Sequence, residues 1–104
     1  MANPWAGEVR VVIDGVPHDC KLTLGALAEL EATLGTGSLL DLIRRFEGAA
    51  FSGADVMAVV VAGLRGGGWT GTTADLITAD IAGGPVGAAK LAATLLAHAF
   101  AVPE

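Results

Sequence analysis

The spacing of apolar residues changes at Leu24, and this change constrains the fold more than any other feature of the sequence. Before it, residues 8–23 hold two short, loosely alternating stretches around Asp14-Gly15, a dipeptide typical of two-residue type I′ turns. After it, apolar residues recur every three or four positions, which predicts helices over residues 24–101. The predicted fold class is α+β, mainly α, with an N-terminal β-hairpin and about five short helices in one compact domain, residues 1–104.

Start and stop signals divide the helical part of the chain. Gly35 is placed as the C-cap of the first helix. Ser38, Ser52 and Thr73 occupy N-cap positions before the second, third and fourth helices, and the fourth is expected to run through residue 81. Pro85 lies in the first turn of the last helix, where its missing N–H costs nothing.

The third predicted helix is apolar on all sides over residues 56–64. A helix of this kind lies at the centre of a domain or is shared with a partner. The run is much shorter than the ~20 residues of a membrane-spanning helix. The whole chain is 53% hydrophobic and only 16% charged, which is more apolar than one small core requires. We therefore expect a partner protein to cover part of the apolar surface.

The charge balance and the single cysteine narrow the classes of partner and compartment. A net charge of −5 with only six Lys and Arg residues argues against nucleic acid and anionic membranes as partners. Cys20 alone forms no internal disulfide and no Cys-based zinc cluster, which suits a reducing compartment. The N-terminal residues lack the pattern of a secretion signal, so we expect a cytoplasmic protein.

No motif in the sequence predicts catalysis, a cofactor or a metal. Gly66, Gly68 and Gly71 match G-x-G-x-x-G, but they follow a predicted helix instead of a strand, so a helix-to-helix loop is favoured. His18 and His98 have no carboxylate or nucleophile in register. The acidic residues lack the spacing of a calcium loop. We predict a protein that is not an enzyme.

One serine has a second interpretation. Residues 34–40 resemble the attachment motif of peptidyl carrier proteins, in which a serine at a helix start carries a phosphopantetheine arm. Carriers have a long loop before that serine and no leading hairpin. Ser38 is fully explained as a helix cap, so the carrier function is a remote alternative.

A set of short segments resembles the small tail proteins of gene transfer agents, which are phage-like particles made by bacteria. The segments are residues 22–31, 34–35, 37–40, 62–65 and 67–68. The resemblance extends over essentially the whole chain, and its specificity lies in the order and spacing of the segments. The family is grouped with phage tail-assembly chaperones, is also described as tail tube protein, and implies no catalytic residue.

The two descriptions of the family predict different folds. Tail tube subunits of this lineage are built on a β-sandwich, which needs about seven or more short strands. The sequence offers two strands and then only helical patterns, so it favours an assembly chaperone, with a structural tube component as the alternative. The resemblance implies the tape-measure protein and tail tube subunits as partners. A second tail chaperone and a second copy of the chain are further candidates.

The chaperone interpretation predicts an apolar binding face on the third helix and its surroundings, where an amphipathic helix would lie. The alternative is that each of these side chains belongs to the core, and Trp69 in particular is placed to cap it. The candidate residues are Phe46, Phe51, Val56, Val59, Val60, Gly63 and Trp69.

Overall fold

A computed structural model describes residues 8–34 and 39–100 of the chain. The predicted fold class is confirmed, since an antiparallel hairpin precedes five helices. The predicted caps at Gly35 and Ser38 lie outside the described residues, as does residue 101, the predicted end of the last helix. That helix ends two residues earlier, at Ala99, with Phe100 as its C-cap. The elements are β1 (Val9–Ile13), β2 (Val16–Cys20), α1 (Leu24–Leu34), α2 (Leu39–Glu47), α3 (Gly53–Gly66), α4 (Thr73–Ile77) and α5 (Gly84–Ala99).

The hairpin forms around the predicted turn. Ile13 pairs with Val16, and the two residues between them have positive φ angles, 49° at Asp14 and 79° at Gly15. This is the conformation of a type I′ turn, whose twist matches that of the strands. β2 ends at Cys20, three residues before the predicted end of the hairpin at residue 23, because the chain then turns onto a helix.

α3 is the central helix of the fold, as its all-round apolar sequence predicts. It contacts β2, α1, α4 and α5. Its start is the predicted capping box, in which Ser52 Oγ accepts from the Asp55 N–H at 3.1 Å and the Asp55 carboxylate accepts from the Ser52 N–H at 2.9 Å. The largest fully buried side chains among the described residues are Val59, Val60 and Leu64 on this helix and Cys20, Leu30, Leu42 and Leu95 on other elements.

β2 and α3 are joined through their backbones. The Lys21 N–H donates to the Gly63 carbonyl at 2.8 Å. A Cβ atom added at Gly66 would collide with the Lys21 carbonyl, and one added at Gly67 would collide with the Asp19 carbonyl. The glycine run therefore ends α3 and also lets the hairpin approach the helix closely.

The prediction for α4 was wrong at both ends. Its N-cap is Thr72, one residue earlier than predicted, and the helix ends at Ile77 instead of running to residue 81. The reason is that residues 80–82 form an isolated bridge and hydrogen bonds with β1 instead of continuing the helix.

The segment 80–82 lies along the outer edge of β1. The Asp14 N–H donates to the Asp80 carbonyl at 2.8 Å, and the Ala82 N–H donates to the Val12 carbonyl at 2.9 Å. The Asp80 N–H in turn donates to the Asp14 carboxylate at 2.8 Å. These contacts tie the α4–α5 connection to the hairpin and fix the position of α4 beside α3.

Candidate protein-binding groove

An apolar groove of about 440 Å³ opens between the start of α3, α4 and the start of α5. Its wall on one side is α4 with the turn that follows it, and its wall on the other side is the first two turns of α5. Aliphatic and aromatic side chains form nearly all of its lining. The residues that define it are Phe51, Val56, Met57, Ile77, Ile81 and Pro85.

Two neighbouring apolar residues of α4 differ sharply in their exposure to solvent. Leu76 is 2% exposed and packs into the core, whereas Ile77 is 65% exposed at the groove. A large aliphatic side chain left in water at the lip of an apolar groove is typical of a surface that a partner covers.

Phe51 is held at the groove by the junction between α2 and α3. Its ring stacks on that of Phe46, with 4.7 Å between centroids and 6° between planes. Arg45 forms two hydrogen bonds of 3.0 Å with the Asp55 carboxylate across the same junction. The bonds from the Arg45 guanidinium hold the pKa of the Asp55 carboxyl below its usual value, so the pair is fully ionised at neutral pH.

Three acidic residues, Asp14, Asp75 and Asp80, line the two hollows beside α4. Of the described residues that line the groove, Asp80 is the one that is ionisable. A second hollow on the other side of α4 includes Asp14 and Asp75, together with His18. Within the described ranges, Asp14, Asp75 and Asp80 form no ion pair, and neither hollow is lined by Lys or Arg.

The structure does not bring the predicted binding residues together on one surface. Val59, Val60 and Gly63 are buried in the core, where a partner has no access to them. Phe51 and Val56 line the groove, and their role in binding stays a prediction.

The two remaining candidates lie elsewhere. Phe46 lines a separate hollow with Ile43 and Phe100, between α2 and the end of α5. Trp69 is half-buried and packs against the core, as expected for a capping ring. It borders one hollow on the far side of α4 and another between the start of α1 and the end of α3.

Sequence reasoning missed the α4 and α5 walls of the groove. Ile77 and Ile81 lie four residues apart, so a helix through residue 81 would have put them on one stripe facing the core. Only the pairing of residues 80–82 with β1 reveals that α4 stops at Ile77 and leaves it exposed. Pro85 predicted the start of the last helix, but nothing in the sequence indicated that it lines an exposed groove.

Gly71 and Cys20, for which the sequence predicted no chemical role, contribute to packing in the structure. Gly71 lies against the Trp69 ring, where a Cβ atom would collide with it, so this glycine also allows a close contact. Burial raises the pKa of the Cys20 thiol to about 12, which leaves it protonated and a poor nucleophile. The part of the chain that the structure describes contains no cluster of three or more potential metal ligands. Among its helices, none is long and apolar enough to cross a membrane.

Comparison with known proteins identifies the class and then the family. A family model matches residues 6–102, nearly the whole chain, and it is a model of a phage tail protein. The chain belongs to the family described as phage tail tube protein, GTA-gp10, that is, to the tail proteins of gene transfer agents. This family is a structural phage tail family and not a known enzyme family. No curated protein and no solved structure matches the chain.

Proposed function

We propose that this protein is a tail-assembly chaperone of a gene transfer agent, which binds the tape-measure protein and assists assembly of the tail tube. The observation that carries the proposal is the small amount of sheet: residues 8–34 and 39–100 contain one two-stranded sheet beside five helices. A β-sandwich tube subunit requires about seven strands. The proposal adds no cofactor, metal or nucleic acid.

The open groove supports the proposal because a chaperone needs an accessible apolar surface in its free state. A tape-measure protein is a long, largely helical chain that exposes apolar stripes until tube subunits surround it. A helix laid into the groove between α4 and α5 would have its stripe shielded from water. The affinity must be moderate, since the polymerising tube has to displace the chaperone. Such a protein acts in the cytoplasm of the producing cell.

A structural component of the tail is the second candidate. The observation that favours it is the description of the matching family as a tail tube protein. A component of this kind would stay in the finished particle, at a copy number set by the repeat of the tail.

Quantitative mass spectrometry of purified particles and of the producing-cell lysate separates the two candidates. The amount of this chain is scaled to the capsid and tape-measure proteins in both samples. We expect it to be abundant in the lysate and absent from particles. Many copies per particle would contradict the chaperone and establish the structural component. A tagged copy of the chain should also co-purify with the tape-measure protein from lysate, and failure to do so would argue against that partner.

A further inference from the structure

We propose that the groove between α4 and α5 selects an amphipathic helix whose apolar stripe is flanked by Lys and Arg. This inference rests on the proposed function and specifies the chemistry of the segment that the groove accepts. Two independent features carry it. One is the apolar lining with the exposed Ile77, and the other is the group of carboxylates beside α4 that form no ion pair within the described ranges.

The shape and lining of the groove suit a helix better than a small ligand. Small-molecule sites usually hold several polar groups that converge on the ligand. Here Asp80 is the one charged residue among the lining residues that the structure describes, and the rest of the described lining is mostly aliphatic. The groove lies open between two helical walls, so one helix face can place side chains at i, i+3 or i+4 and i+7 along it.

The carboxylates around α4 determine the charge of the partner. Asp80 lines the groove itself, and Asp14 is adjacent to it, because the Asp80 N–H donates to the Asp14 carboxylate. Asp75 lies one helix width away, in the hollow on the other side of α4. The described ion pairs of the protein join Arg10 with Asp19, Arg45 with Asp55, and Arg65 with Glu29. The Arg45–Asp55 pair lies beside the groove at the α2–α3 junction, but its charges neutralise each other, and none of these described residues lines the groove. The potential at this lip is therefore negative and favours a cationic flank.

The same charges disfavour a second copy of this chain as the occupant. The chain has a net charge of −5, and a copy docked at the groove would bring further carboxylates to an acidic lip. Like charges placed together oppose association. A cationic amphipathic helix meets both the apolar and the electrostatic requirement.

The test is a titration of the full chain with labelled synthetic helices, followed by fluorescence anisotropy. Peptides of about 20 residues form helices of ~30 Å, longer than the first two turns of α5 that border the groove. One peptide has a Leu/Ala stripe flanked by Lys, and a second has the same stripe flanked by Glu. A third keeps the composition of the Lys peptide but scrambles the stripe.

Two protein variants remove the two features separately. Ile77→Gln removes the exposed apolar contact, and Leu40→Gln is its control, at a residue that is 55% exposed on α2. The triple variant Asp14→Asn, Asp75→Asn, Asp80→Asn removes charge while Asn keeps the hydrogen-bond acceptors and tolerates the positive φ at residue 14. Its control is Glu31→Gln with Glu47→Gln, on exposed parts of α1 and α2.

We expect the Lys peptide to bind the native chain more tightly than the Glu peptide or the scrambled peptide. Ile77→Gln should weaken its binding by about tenfold, as for a central apolar contact. The triple Asn variant should weaken it by roughly three- to tenfold at low salt, because each exposed charge contributes little. That loss should shrink at about 0.5 M NaCl, where charges are screened. The controls should bind like the native chain.

Several outcomes would overturn the proposal. Equal affinity for the Lys and Glu peptides would contradict selection by charge. Native affinity of Ile77→Gln for the Lys peptide would contradict binding at the groove. Sedimentation of the free chain as a dimer that Ile77→Gln dissociates would assign the groove to a second copy. The chaperone function is tested separately, by co-purification of the tape-measure protein with the native chain and with Ile77→Gln. Equal co-purification with both would refute binding at the groove and leave the chaperone function intact.

Discussion

At Gly63 the backbone of α3 comes close to a neighbouring helix because the residue has no side chain. A Cβ atom built there would lie 2.6 Å from Leu95 Cδ1 and 3.4 Å from Cys20 Cβ. Three elements, β2, α3 and α5, therefore meet at a single residue in the core.

The replacement Gly63→Ala should lower the free energy of unfolding by about 1 kcal/mol. Overpacking costs about 1–3 kcal/mol, and the better helix propensity of Ala returns about 1 kcal/mol. The measurement is urea unfolding followed by circular dichroism. Gly25→Ala is the control, since its nearest neighbour would be 3.9 Å away and only the propensity gain applies. A Gly63→Ala protein as stable as Gly25→Ala would contradict the close packing of α3 and α5.

The Cys20 thiol should make the protein less stable at alkaline pH. Its pKa is raised from 9.0 to about 12, first by burial and second by the negative charge of Asp19. Between these values the unfolded state releases the proton and the folded state keeps it, so stability present below pH 9 is lost as pH rises. The loss amounts to about 1.4 kcal/mol per pH unit in that window.

The comparison that isolates this effect is urea unfolding at pH 8 and pH 10 for the native chain and for Cys20→Ala. The variant lacks the titrating group, so the difference between the two pH values should be smaller in it. Identical pH dependence in both proteins would show that Cys20 does not titrate differently in the folded state.

At the scale of the elements, the junction between α2 and α3 depends on one carboxylate. Asp55 completes the capping box with Ser52 and binds Arg45 through both oxygens, and its side chain is only 12% exposed. It therefore fixes the start of α3 and the approach of α2 to it, and with them the position of Phe51.

Asp55→Ala should destabilise the protein by at least about 1 kcal/mol, the usual cost of a lost helix cap. Because the pKa of the folded state is lowered, the contribution of Asp55 is present above about pH 4 and is lost as pH falls below it. Thermal unfolding at pH 7 and pH 3 measures both effects. Asp55→Asn keeps an acceptor for the Ser52 N–H and should lose less; equal losses in the two variants at pH 7 would assign the effect to the Arg45 pair alone.

The sequence predicted those elements whose signals are local. The Asp14-Gly15 turn and the Ser52–Asp55 capping box depend on neighbouring residues, and both form as predicted. The end of α4 depends on residues 80–82 pairing with β1, more than sixty positions away in the case of the Asp14–Asp80 bond. The groove could not be predicted from the sequence for the same reason. Its α4 wall forms only because the helix ends at Ile77.

At the scale of the whole molecule, the hairpin and the helices should unfold together. β2 contacts α3 through the Lys21–Gly63 hydrogen bond, and Cys20 lies inside the shared core. A two-stranded hairpin is at best marginally stable alone, so we expect it to unfold when the helices unfold. We expect a single two-state transition, as is usual for a domain of this size.

The measurement pairs two probes across a urea titration. Circular dichroism at 222 nm follows the helices, and alkylation of Cys20 in short pulses follows the opening of the hairpin against α3. The two curves should have the same midpoint. Alkylation at a lower urea concentration than the loss of helix would contradict a single cooperative unit.

Residues 80–82 also affect whether a strand from another tail protein can add to the small sheet. An exposed strand edge is a template on which another chain can add a strand, and the family is one of tail proteins. Residues 80–82 cover the outer edge of β1 near the turn, while Pro17 offers no N–H on β2 and the chain beyond Cys20 is engaged by α3. Near the turn, the small sheet is therefore closed to the addition of a strand from another tail protein.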